Sequence, residues 1–323
     1  MTRVDLRADW LSALQAQANQ PAPRPRVPLV WQGYRIGSVE PDFIREFHRL
    51  TLSNGTLLLQ EVEQKGSDGA SDQALAESAL AWQVNGDLTS SLNQLAQAMR
   101  SAGLCGAWRN EQLAVKELAD TDGLHLWPET SRNPHSTSKN AQVLGTIERG
   151  AVRPLGIATQ AVHLVGFVSL QAQFSHMWVQ QRAWSKPNDP GQYDTLMGGM
   201  VPAQNTLEEA LARETWEEAG LLLSDLPALT YGGRVSLRRP AHEANHTMGG
   251  AGYMVEHIDW FLADVPVGRV PDNQDGEVDN FSLLDMETLL STLYGQKFTT
   301  EASMVLAAAL GAINGPLNAP GPN

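Results

Sequence analysis

Glu214, Glu217 and Glu218 stand at i, i+3 and i+4, a spacing that puts all three carboxylates on one face of an α-helix. Like charges stacked this way repel and weaken the helix unless a positive charge neutralises them. A hard divalent cation with oxygen ligands, Mg²⁺ above all, is the economical neutraliser. Held by one or two carboxylates, it keeps several waters and takes phosphate oxygens as further ligands. The spacing therefore points to a site that handles a diphosphate. A row of Glu on a helix is more commonly a solvated face, so the surroundings must decide. Here Gly198 and Gly199 come first, Pro202 lies in the intervening loop, Arg213 directly precedes Glu214, and Leu221 closes the stretch. That many spaced features favour a metal site over a solvated face.

Residues 199–221 read GMVPAQNTLEEALARETWEEAGL, which resembles the Nudix box: Gly, five residues, Glu, seven residues, then Arg-Glu-apolar-x-Glu-Glu-x-Gly-apolar. The match runs through Gly199, Arg213, Glu214, Glu217, Glu218, Gly220 and Leu221. Two positions depart from it, Asn205 in place of the early Glu and Thr215 in place of an apolar residue. The resemblance implies that Glu214, Glu217 and Glu218, with the Gly199 carbonyl, hold Mg²⁺ or Mn²⁺. It also implies that the early Glu pairs with the arginine that is Arg213 here. Asn205 cannot form that ion pair, though it can cap the helix before Thr206. Glu209, four residues before Arg213, is then the expected local partner for the guanidinium.

The flanks narrow the resemblance. Trp178, Arg182, Lys186, Pro190-Gly191, Asp194 and the glycine pair, followed later by Asp275-Gly276-Glu277-Val278, look like the Nudix hydrolases related to thiamine pyrophosphokinase. Residues 148–167 resemble that subgroup's approach to its first strand. Residues 28–145, with Trp108-Arg109-Asn110-Glu111, look like the uncharacterised domain that precedes it. Arg182, Lys186, Asp194 and Gly198 are accordingly expected to meet the substrate, and Glu277 to serve as an extra ligand or general base. The substrate implied is thiamine diphosphate or a damaged oxo or oxy analogue, cleaved to the monophosphate and phosphate. Oxidised nucleoside diphosphates are the enzymatic alternative. A non-catalytic, ligand-binding regulator is the alternative from another class, argued by Asn205 and Thr215. Isomerisation of an isoprenoid diphosphate is weaker, because it wants a cysteine in the site and Cys105 falls in the other domain.

Composition bounds these readings. The chain has 323 residues, 42% hydrophobic and 18% charged, with a formal net charge of −13. That length suffices for two domains, and the mix is that of a soluble protein. The acidic balance argues against nucleic acid or an anionic membrane as the main partner, but not against a small-molecule diphosphate. One cysteine, Cys105, excludes an internal disulfide and a cysteine-rich zinc site. The start lacks an apolar signal-peptide core, so a cytoplasmic location is expected, and a homodimer is left open. His242 and His246 stand four apart beside Glu243, but Pro240 and the following glycines argue against the helix that zinc binding would need. Lone histidines such as His125, His135 and His163 read as structural groups, and Trp178 and Trp184 as packing residues before stacking partners.

The elements that must position the box follow from periodicity. Residues 1–27 form an N-terminal segment, loosely helical and then Pro-rich, in which Arg24 and Arg26 read as solvated linker charges. Residues 28–147 form a smaller α+β domain, with strands over 30–39 and 56–62, helices over 41–50, 73–84 and 89–102, and a strand near 113–115. Residues 148–313 hold the box, with antiparallel strands near 161–168 and 174–181, further strands over 229–237, 252–262 and 280–284, and helices over 206–219, 286–294 and 302–313. The tail, 314–323, reads as disordered. The overall class is α+β. The second domain is expected to be a Nudix-like α/β/α sandwich with helices on both sides of a mixed sheet.

Overall fold

The computed structural model describes residues 6–64, 79–118, 142–170, 173–241 and 252–313. The expectations for residues 73–78, His125, His135, His242, Glu243, His246 and the tail fall outside these. The first half comprises α1 (Ala8–Ala18), β1 (Val27–Trp31), β2 (Tyr34–Val39), α2 (Pro41–Arg45), β3 (Leu59–Gln64), β4 (Ala79–Val84), α3 (Leu88–Ser101), β5 (Gln112–Val115) and β6 (Gly145–Glu148). The second comprises β7 (Ala158–Leu170), β8 (Gln173–Arg182), β9 (Tyr193–Asp194), β10 (Met197–Met200), α4 (Leu207–Ala219), β11 (Thr230–Pro240), β12 (Tyr253–Asp264), β13 (Val278–Asp285), α5 (Met286–Tyr294) and α6 (Thr300–Ile313).

A seven-stranded sheet of order β11-β12-β7-β8-β13, with β10 paired to β7 and β9 to β8, carries the second half. The β12–β7 pairing is parallel and the others are antiparallel. Successive side chains on a strand face opposite ways, and the burial records it. Ala161 and Val165 of β7, Met177 and Val179 of β8, and Ile258 and Trp260 of β12 pack with Leu289 of α5 and Leu310 of α6. Val162 and Leu164, Trp178, Phe261 and Ala263 pack with Ala210, Leu211 and Ala219 of α4. The sheet therefore has helices on both faces, as expected. Helix α1 joins the α6 side, burying Trp10, Leu14 and Ala18 there; the Trp10 ring meets Tyr294 edge-on at 5.4 Å.

The first half builds its own four-stranded sheet, β2-β1-β4-β3, whose core includes Leu29, Trp82, Leu92 and Leu95. Two expectations are corrected here. Residues 79–84 are a strand, not the end of a helix over 73–84. Trp82 and Val84 are buried at a spacing of two, and β4 hydrogen-bonds to β3 on one side and β1 on the other. A strand paired on both edges outweighs a weak helical pattern. Arg26, expected to be solvated, is buried and bonds through Nη2 to the Ser38 and Pro154 carbonyls at 2.5 and 2.8 Å. Burial pushes its pKa down to about 10.

The two halves meet where the box lies. Met200 joins the core of the first half, the Ala203 amide donates to the Gln112 carbonyl at 2.8 Å, and Leu113 bridges Pro202. Helix α4 then starts with a capping box: the Glu209 amide donates to Thr206 Oγ1 at 3.1 Å, and the Thr206 amide to Glu209 Oε2 at 2.8 Å. It ends on Gly220, whose φ of 63° gives the left-handed C-cap. Thr206→Ala should lower unfolding stability by about 1 kcal/mol, read from a denaturant midpoint; an unshifted midpoint would mean the cap contributes nothing.

Candidate active site

Strand β10 brings the glycine pair under α4. A Cβ on Gly199 would lie 2.2 Å from Glu214 Cδ, and one on Gly198 would lie 2.8 Å from the His163 ring. Only glycines let these side chains cover the strand so closely. Glu218 is 2% exposed. Its Oε2 accepts from the Gly198 amide at 3.0 Å and from Gln180 Nε2 at 2.9 Å, while Lys186 Nζ stands 4.0 Å from Oε1. Burial pushes the Glu218 carboxyl up to about 8, against the opposing pull of Lys186. Glu214 is likewise raised by burial, to about 7, although Arg213 opposes the shift. Glu217 is half exposed and takes Arg213 Nη1 at 2.6 Å, while Arg213 Nη2 donates to Glu214 at 2.7 Å.

The support expected around Arg213 is corrected by this geometry. Glu209 is spent on the capping box, and Arg213 is held by Glu214 and Glu217 instead. The helix cap is Thr206, not Asn205, whose amide closes a turn onto the Pro202 carbonyl at 3.0 Å. Thr215 fits an apolar position because it is fully buried and its hydroxyl donates to the Leu211 carbonyl at 2.6 Å.

Around the helix, Lys186 is ion-paired to Glu277. Burial alone would raise the Glu277 carboxyl, but Lys186 outweighs it and holds the group below its usual range. Arg182 reaches Asp194 at 3.3 Å and the Asn188 carbonyl at 3.0 Å. Asp194, 3% exposed, also accepts from the Thr195 amide at 2.8 Å. His163 Nδ1 lies 2.9 Å from Thr195 Oγ1, and its ring also lines the site cavity. Neither Trp178 nor Trp184 lines the cavity; Trp184 packs over Gly191.

Glu214, Glu217, Glu218, Glu277, Arg182, Lys186, Asp194, Gly198, Gly199 and Arg213 all line one cavity of about 230 Å³. Asn205 borders an adjoining concavity of about 570 Å³, shared with Arg213, Lys186 and Glu277, and Glu209 borders neither. Sequence reasoning missed seven charged residues on the cavity wall, Arg153 among them. Arg149, paired to Glu111 at 2.7 Å, comes from the junction with the first half. Asp189, Arg239, Glu256 and Glu301 come from beyond the box. Glu256 had a signal, an acid inside the apolar run of β12; the others are ordinary surface residue types until the fold gathers them.

The wall carries ten carboxylates against six Lys or Arg side chains. Among the described residues no three His, Cys, Asp or Glu side chains form a ready-made ligand set, because Arg213 turns Glu214 and Glu217 towards itself. The donor chemistry nevertheless fits a divalent cation. Buried oxygen donors with raised pKa values lack positive charge, and a diphosphate arriving here would deepen that deficit.

Residues 162–303 match the NUDIX domain. Nudix hydrolase 24, chloroplastic, of Arabidopsis thaliana is 30% identical over 175 residues, covering 51% of this chain and 43% of that protein. An uncharacterized protein of Saccharomyces cerevisiae is 26% identical over 232 residues, covering 67% of this chain and 59% of that one. The crystal structure of DR0079 from Deinococcus radiodurans superposes with a TM-score of 0.39 at 20% identity, covering 53% of this chain and 95% of that one. The chain spans about half the length of the curated relatives it matches. Among the described residues no helix is long and apolar enough to cross a membrane. Residues 162–303, which carry the three carboxylates of one helix and the glycine strand beneath it, match the NUDIX domain, and about half of the chain is similar to Nudix hydrolases.

Proposed function

We propose that the chain is a Mg²⁺- or Mn²⁺-dependent hydrolase of a small-molecule diphosphate. The observation that carries this reading is Glu218, buried with Lys186 no nearer than 4.0 Å, sharing one cavity with Glu214, Glu217, Lys186 and Arg182. Glu214, Glu217 and Glu218, with the Gly199 carbonyl, are the groups to hold the ion, which when bound supplies charge neutralisation at phosphate, polarisation of phosphorus and a lower pKa for water. Lys186 and Arg182 meet the diphosphate oxygens as cations on the opposite wall. Glu277 fixes Lys186 by its ion pair, and Asp194 fixes Arg182. Gly198 contributes its amide, which orients Glu218. A carboxylate held below its usual range is a weak base, so positioning Lys186 is the role assigned to Glu277.

Thiamine diphosphate or an oxo or oxy analogue is the substrate we infer, from the likeness of residues 178–199 and 272–278 to that subgroup. Nucleoside diphosphates are the second choice. A regulator that binds without turnover is favoured by one feature, the capture of both Glu214 and Glu217 by Arg213. The test is phosphate release from thiamine diphosphate, its oxidised forms, ADP and oxidised guanosine diphosphate, with Mg²⁺ and with Mn²⁺. Metal-dependent release, greatest for the thiamine series, is expected. Silence of the whole panel with both ions would defeat the hydrolase reading.

A further inference from the structure

The end of the cavity away from α4 is built from charged side chains that the box chemistry does not use. Residues 235, 237 and 239 of β11 and residues 254, 256 and 258 of β12 face the side that α6 covers, and the apolar members lie in that core. The polar members, Arg239 and Glu256, line the cavity instead. Arg239 Nη2 donates to Glu301 Oε1 at 2.9 Å, with side-chain exposures of 9% and 15%. Glu256, 5% exposed, accepts from Thr159 Oγ1 at 3.1 Å. Asp189 and Asn188 close the end from the loop after β8. Asp189 takes a left-handed φ of 48°, which Asp tolerates better than most residues.

Three observations fix what this end can hold. Arg239 Nε, Glu301 Oε2 and Asn188 Oδ1 are buried yet make no hydrogen bond among the described residues, whereas buried polar atoms are normally bonded. They offer one donor and two acceptors at the same wall. Acids also outnumber the bases left to them there: Asp189, Glu256 and Glu301 face Arg153 and Arg239, while Arg182, which also acts on Asp189, is held by Asp194. Finally, among the described residues no Phe, Tyr or Trp lines the cavity, so a ring seated there has no aromatic stacking platform from them.

We propose that this end is the subsite for the head group of the substrate. It takes a neutral or cationic hydrogen-bonding group, an amino-substituted nitrogen ring for example, gripped by its edge at Arg239, Glu301 and Asn188 rather than by its face. The proposal rests on the diphosphate reading of the box, with the diphosphate towards α4 and the head towards α6. It rejects a head that carries a second phosphate, because the acid surplus repels it.

The test uses the full chain and four probes: methyl diphosphate, thiamine diphosphate, ADP and phosphoribosyl diphosphate. Affinity is measured by calorimetry with Ca²⁺, and phosphate release is followed separately with Mg²⁺. Thiamine diphosphate or ADP should bind about ten-fold or more tighter than methyl diphosphate, because a site built to hydrogen-bond a group rejects a ligand lacking it. Phosphoribosyl diphosphate should gain nothing over methyl diphosphate. Glu301→Gln and Asn188→Ala should each pull the preference towards unity; Asn188 sits in a loop, so its variant reads out even if the Glu301 variant fails to fold. Equal affinity for all probes, tightest binding of the phosphorylated head, or an undiminished preference in Asn188→Ala would overturn the subsite. A preference without phosphate release would sink the hydrolase reading and leave the subsite standing. Release without a preference would do the reverse, and no binding by any probe would overturn both.

Discussion

Glu218→Gln is expected to cut metal-dependent phosphate release by about two to three orders of magnitude while leaving the fold at least as stable as before. Both halves of that expectation come from one side chain. Gln keeps the volume of Glu and can still accept from the Gly198 amide, so the packing of α4 on β10 survives. What it removes is the capacity to carry a negative charge that burial disfavours, the burial that pushes the carboxyl up to about 8. Taking away a buried, poorly compensated charge commonly stabilises a protein, and residues kept at a cost to stability mark functional sites. Mg²⁺ should raise the melting temperature of the wild-type chain, because a ligand of the folded state stabilises it, and should do so less for the variant. Glu217→Gln, half exposed and bound to Arg213, should share the loss of turnover without the gain in stability. Unchanged turnover in both variants would sink the assignment of the metal-binding face; loss of turnover with a fall in melting temperature would point to misfolding instead.

The site divides by how far its parts lie apart in the chain. The carboxylate face of α4 was legible because helical geometry alone places residues 214, 217 and 218 together. The glycine pair was legible through the resemblance of its spacing, and the strands over 161–168 and 252–262 through their residue pattern. The far end of the cavity was not legible. Arg239, Glu256 and Glu301 belong to three elements, and only the antiparallel β11–β12 pairing and the packing of α6 bring them to one wall. The partners of Arg213 were misread for a related reason. Glu209 stands at a favourable spacing from Arg213, but a helix start also needs its free amides satisfied, and the capping box claimed Glu209 first. The strand at 79–84 was missed because its identity depends on two neighbours distant in sequence, β1 and β3.

Gly199→Ala should lower turnover by about a hundred-fold, the loss that an ångström of misplacement can cause. The added methyl would stand 2.2 Å from Glu214 Cδ, 2.4 Å from Oε1 and 2.7 Å from Cγ, so one of the two must move. Strand β10 is hydrogen-bonded to β7 in fixed register, Gly199 opposite Val162 and Gly198 opposite His163, and Val162 is fully buried. The backbone is therefore the stiffer partner, and the Glu214 carboxylate gives way. Its side chain is 13% exposed and tied to Arg213 at 2.7 Å, so displacing it also loosens the hold on Glu217. Overpacking of this kind costs about 1–3 kcal/mol of stability, and a double-mutant cycle separates that cost from a general effect on the strand. A Glu214→Ala background removes the three atoms that stand nearest the methyl, and Gly199→Ala should then cost little stability. If the substitution destabilises both backgrounds equally, the glycine serves the strand and not the carboxylate. If it destabilises only the background that retains Glu214, the glycine is there to let that carboxylate lie over the strand.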